Sequence, residues 1–160
     1  MKVGITGHQQ LDSGSDWNWV TAAMIQVLNS LGGSVDGISS LAIGADQIFA
    51  SLVLELGGHL HAVIPFAGYE KTFDVKDISV YHRILSAAST TEIVQVPGTD
   101  EDAYLAAGKR IVEMSDTLIA IWNGLPAKGK GGTADIVAYA NRKNKPVIHI
   151  NPMDHTVVNK

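Results

Sequence analysis

The chain has 160 residues, 46% hydrophobic and 18% charged, with a formal net charge of -4 and a pI of 5.8. That length predicts one domain over 1–160, and the acidic balance argues against nucleic acid held on a broad basic surface. There is no cysteine, which excludes disulfides, thiol catalysis and cysteine-ligated metals, and no run suits a signal peptide or a bilayer span, so a cytoplasmic protein without membrane contact is expected.

Val3 to Thr6 predicts the first strand, followed by Gly7-His8-Gln9-Gln10. Asp16 reads as the N-cap of a helix to about Leu31, with Val20, Met24, Val27, Leu28 and Leu31 on one face. Gly37 to Ile43 is the second strand; Gly44-Ala45-Asp46 turns it into a helix over Ala45 to Leu56. A third strand, Leu60 to Phe66, ends in Pro65-Phe66-Ala67-Gly68-Tyr69, and a weaker helical pattern covers Asp77 to Ala88. Glu92 to Val96 is the fourth strand, and a helix starting at Asp100 or Asp102 runs through Met114. Leu118 to Trp122, a helix from Thr133 to Asn144, and the strand Val147 to Ile150 complete the series.

Several strand runs are apolar on both faces, as parallel strands are when helices cover them above and below. The alternation predicts an α/β fold: a doubly wound, mostly parallel sheet with helices on both faces, Rossmann-like. Strand order is not readable from these patterns.

Such sheets bind ligands beyond the carboxyl ends of their strands. The densest signal there is the loop after the fifth strand, where Gly124 to Gly132 holds four glycines and two lysines. Free amides at a helix start, with about half a positive charge from the dipole, form a ready oxyanion site. Gly131 and Gly132 let backbone approach the anion, Thr133 offers a hydroxyl, and Lys128 and Lys130 add charge. Neither the Walker A spacing nor GxGxxG is present, which disfavours P-loop hydrolysis and ordinary NAD chemistry. Asp135, in the first turn, is either stabilised by the dipole or a ligand contact.

His8 reads as a capping residue or a phosphate or base contact, and Asp46 as a helix cap or a ribose ligand. Phe66, Tyr69 and Trp122 are core aromatics or base-stacking surfaces, Tyr69 suiting an exposed rim best, and Trp17 is a candidate cover. His59 and His61 share a strand face without a third ligand, so no metal is expected.

Together, "GITGHQQL", "LAIGADQIFA", "VIPF" and "MSDTLIAIWNG...GKGGTADIVAYA...KPVIHI" resemble the SLOG superfamily. It comprises the Lonely Guy phosphoribohydrolases, the DNA-processing protein A Rossmann domain and the molybdenum-cofactor carriers. The resemblance runs from residue 3 to 152 and implies a nucleotide or nucleotide-derived ligand, no required cofactor and a homodimer. It implies phosphate on Gly131, Gly132 and Thr133, with Gly7, His8, Gly44, Ala45 and Asp46 on the opposite wall. Hydrolytic members carry a carboxylate and an arginine; Asp135 falls near the first and Arg110 stands for the second. Two further readings follow: N-glycosidic hydrolysis of a nucleoside monophosphate, and single-stranded DNA binding through Lys109, Lys128 and Lys130.

Overall fold

The structure is a computed structural model that describes residues 1–13 and 15–160. Its strands are β1 (Lys2–Gly7), β2 (Asp36–Ser39), β3 (His59–Ile64), β4 (Thr90–Ile93), β5 (Thr117–Ile121), β6 (Val147–Asn151) and β7 (Thr156–Asn159). The helices are α1 (Trp17–Ser30), α2 (Ala45–Glu55), α3 (Val75–Ala87), α4 (Asp100–Met114) and α5 (Thr133–Arg142). One seven-stranded sheet runs in the order β4-β3-β2-β1-β5-β6-β7. Every pair is parallel except β6 with β7. The fold is α/β, doubly wound and mostly parallel.

β5 shows why its sequence is apolar throughout. Ile119 and Ile121 pack with the buried residues of α1 and α2, whereas Leu118 and Ala120 pack with those of α4 and α5. Side chains alternate across a strand, so burial on both faces removes every polar position. α1 is amphipathic instead: Val20, Met24, Val27 and Leu28 are buried, each worth about 1.5–3 kcal/mol when fully covered. Asp16 caps it, accepting the Trp19 N–H at 2.6 Å.

Several elements differ from the sequence reading. β2 stops at Ser39 rather than Ile43, because Leu41 takes φ 59 and its N–H donates back to the Ser39 hydroxyl at 3.0 Å. β4 runs Thr90–Ile93, and Gln95 at φ 50 ends the extended run early. β7 has no counterpart among the expected strands: all four of its residues are exposed, so no burial pattern marks it. Asn151 builds the turn before it, its side-chain oxygen accepting from the Met153 and Asp154 amides.

The chain steps outward from β1 through β2 and β3 to β4, and α4 then returns it to β5 on the other side of β1. The strand order therefore reverses between β1 and β5, where connections leave in opposite directions and open a crevice. Among the described residues, no helix is long and apolar enough to cross a membrane.

Candidate functional site

A cleft of about 750 Å³ opens at that reversal, within the range that encloses a whole small-molecule ligand. Gly7 and His8 lie at the end of β1; Asp46, Pro65 and Tyr69 line one side; Trp122, Lys128, Lys130, Gly131, Gly132 and Thr133 line the other. These sequence-expected residues come from four separate connections, and the fold brings them into one space.

Gly44 and Ala45 belong to the scaffold behind this wall. Gly44 has φ +88, and a Cβ there would stand 2.5 Å from the Gln9 carbonyl oxygen. Ala45 N–H donates to the His8 carbonyl at 3.2 Å. Both residues dock α2 against the β1 loop and neither lines the cleft.

His8 joins the two walls. Its Nε2 accepts the Asn123 N–H at 3.1 Å, which requires an unprotonated Nε2. Burial holds the ring below the usual imidazole range, and contact with Asn123 and the charge of Asp12 offset this only in part. Asn123 also donates to Asp12 at 3.1 Å and accepts from the Leu125 N–H at 3.0 Å. Trp122 is anchored by its indole N–H on the Leu125 carbonyl at 2.8 Å. Its own carbonyl meets His149 Nε2 at 2.7 Å.

The glycine-rich loop folds onto the start of α4. Gly131 takes φ +79, and a Cβ there would lie 2.6 Å from Leu105 N, so glycine alone permits this approach. Lys130 pairs with Asp102 at 3.2 Å. The Gly131 N–H donates to the Asp135 carboxylate at 3.1 Å, and the Gly132 N–H reaches the Gly129 carbonyl at a long 3.4 Å. Two of the expected anion-binding amides are thus satisfied within the chain. The next two, on Thr133 and Ala134, take no acceptor among the described residues, and both residues line the cleft.

Asp46 does not cap α2. Gly44 stands at the cap position and no side chain caps the helix. The Asp46 carboxylate instead accepts from the Ser39 hydroxyl at 3.3 Å and the Ala42 N–H at 3.4 Å. Burial raises its pKa to about 7; the amides of Ala42 and Ser40 and the Ser39 hydroxyl lower it by less. A desolvated carboxyl in a cleft is a frequent mark of a functional site.

The structure corrects other expectations. Tyr69 is only 4% exposed, packed among Phe66, Phe73, Tyr81 and Tyr104, so it is not a rim residue. Its burial, with the nearby Asp46 charge, pushes the phenol well above its ordinary pKa. Phe66 belongs to the same cluster, and with Gly124 stays outside the cleft lining. Trp17 packs against the α1 core and is not among the residues that line the cleft. Arg110 is bound to Glu92, Nε to Oε1 at 2.8 Å, and is not brought to the cleft. Asp135 is likewise absent from the lining. Phe73, Tyr104 and Asn123 do line it; in sequence Phe73 and Tyr104 sit in ordinary patterns, and only the Asn123-Gly124 turn carried a signal. Among the described residues no cluster of potential metal ligands occurs.

The site is therefore that of a doubly wound α/β domain with a cleft of mixed polar and apolar lining at its switch point. No protein-family model matches the chain and no curated protein does, but solved structures share its fold. DNA processing protein A from Streptococcus pneumoniae is 17% identical with a TM-score of 0.63, over 92% of this chain and 49% of that one. A DNA processing protein A from Helicobacter pylori, whose single-stranded DNA binding has been described structurally, is 20% identical with a TM-score of 0.64, covering 93% and 64%. The molybdenum cofactor carrier protein of Chlamydomonas reinhardtii is 19% identical with a TM-score of 0.51, covering 92% and 74%. This chain spans about half to two-thirds of the two DNA processing proteins. Two of the groups named by the motif resemblance thus share its architecture. The expectation that nucleic acid is no partner draws no support from them.

Proposed function

We propose that this chain binds a nucleotide or nucleotide-derived ligand in the cleft, with phosphate resting at the start of α5. The observation that carries this reading is the pair of unclaimed amides, on Thr133 and Ala134, at a helix start that lines the cleft. The helix dipole favours an anion there, Lys128 adds charge from the loop, and Trp122 and Tyr104 are the lining aromatics against which a base would pack. Binding is favoured over hydrolysis because the Asp135 carboxylate is engaged by Gly131 and Arg110 by Glu92. Single-stranded DNA is the weaker reading: Lys109 sits over Tyr139 and Lys130 is paired, leaving Lys128 alone at the cleft.

Calorimetric titration with the four ribonucleoside 5′-monophosphates tests the proposal. At least one binds saturably, and Thr133→Pro weakens it tenfold or more by removing one amide and one hydroxyl. Proline fits the first helical position, and Gly132 before it already has the extended backbone that proline demands (φ -66, ψ 166). A folded wild type that binds none of the four overturns the reading.

A further inference from the structure

The cleft has a second chemical pole, opposite the α5 start, and its chemistry is that of an acceptor. Asp46 is 6% exposed, and no basic side chain forms an ion pair with it among the described residues. The hydrogen bonds its carboxylate accepts from Ser39 and Ala42 are long and both end on Oδ2, and the Ser40 amide adds a weaker stabilisation of the charged form. Oδ1 accepts none. No sealed side-chain oxygen among the described residues lacks a partner, so Oδ1 is open, and Asp46 lines the cleft.

The ordinary reason for a carboxylate in the first turn of a helix is absent here. Two of the first three amides of α2 are already taken, Ala45 N–H by the His8 carbonyl and Gln47 N–H by the Ala42 carbonyl. Burying a carboxyl without a counter-ion is costly, and the Ser39 hydroxyl and the Ala42 and Ser40 amides offset that cost only in part. A ligand that donates to Oδ1 would offset more of it.

We infer that Asp46 recognises the sugar of the cleft's ligand, its open oxygen accepting from the ribose 2′-hydroxyl, so that the site takes ribonucleotides in preference to 2′-deoxyribonucleotides. This rests on the phosphate reading above and adds the opposite end of the ligand. Asp46 follows β2 and the free amides follow β5, with β1 between them. Their parent strands stand two spacings apart, roughly 10 Å in the plane of the sheet, with α2 and α5 on its opposite faces, so a ligand reaching both lies across the strand ends. A single open oxygen suits a hydroxyl donor, whereas a guanine edge or a guanidinium demands both carboxylate oxygens.

The test is calorimetry with inorganic phosphate, the four ribonucleoside 5′-monophosphates and their 2′-deoxy counterparts, on wild type, Asp46→Asn and Asp46→Ala. The wild type is expected to favour the best-bound ribonucleotide over its deoxy form by tenfold or more. That preference falls below threefold in both variants; the two differ in volume and polarity, so a folding defect in one leaves the other informative. Equal binding of ribo and deoxy forms by the wild type overturns the sugar assignment while leaving the phosphate site standing. A ribose preference that survives in the variants removes Asp46 from it. Failure of inorganic phosphate and every nucleotide to bind brings down the phosphate reading, and this inference with it.

Discussion

The starts of α2 and α5 face each other across the cleft, and each has a glycine at the cap and an aspartate in the first turn. Their fates diverge. Asp135 accepts the Gly131 N–H and holds the loop against the helix, as a dipole-stabilised carboxylate does. Asp46 sits under cover, bonded only to uncharged donors, with its pKa raised to about 7. The β1 loop makes the difference, since its carbonyl occupies the α2 amide that a carboxylate would otherwise seek. Position in a helix thus sets what a carboxylate can do, and its tertiary neighbours select which of those things it does.

The contrast is open to measurement. The largest effect is expected from pH. Asp46 has a folded pKa of about 7 against an ordinary value of 3.8, so the folded state binds the extra proton between those values. Its contribution therefore makes stability fall as pH rises from about 4 to about 7, by up to about 4 kcal/mol. His8, with its folded pKa lowered, acts in the opposite sense, losing stability as pH falls through the imidazole range. Comparing wild type with Asp46→Asn cancels that contribution. Urea melts should show the variant gaining on the wild type as pH rises, and a constant gap would mean that Asp46 is not desolvated.

Next in size is Gly44→Ala. The added Cβ meets the Gln9 carbonyl oxygen at 2.5 Å in a backbone with φ +88, at an expected cost of about 3 kcal/mol. A near-neutral result would show that the α2 start is not pinned to the β1 loop. The smallest effect is Asp135→Ala, expected to cost about 1 kcal/mol through loss of a cap-like hydrogen bond. If denaturation curves stay unchanged while nucleotide binding falls, Asp135 serves the ligand and the contrast between the two aspartates fails.

Much of the architecture was legible. Runs apolar on both faces announced parallel strands, and the Asp16 cap and the Val20, Met24, Val27 and Leu28 stripe announced α1. Illegible parts had physical causes. β7 is exposed throughout, so it carries no burial signature, and β2 ends early through a Ser39 hydroxyl contact that no periodicity records. Tyr69 looked like a rim residue because its hydroxyl tolerates water; its enclosure by four aromatic rings is visible only once β3, α3 and α4 are packed.

The amino-acid order by itself determined the α/β alternation and the glycine-rich start of α5, because backbone freedom and side-chain periodicity are local properties. Tertiary structure alone decided that β1 and β5 part at the switch point, that Arg110 pairs with Glu92 away from the cleft, and that Asp46 rather than Asp135 lines it. Those outcomes depend on which strands become neighbours and on how much water remains around each charge, and both are sums over contacts between residues far apart in the chain.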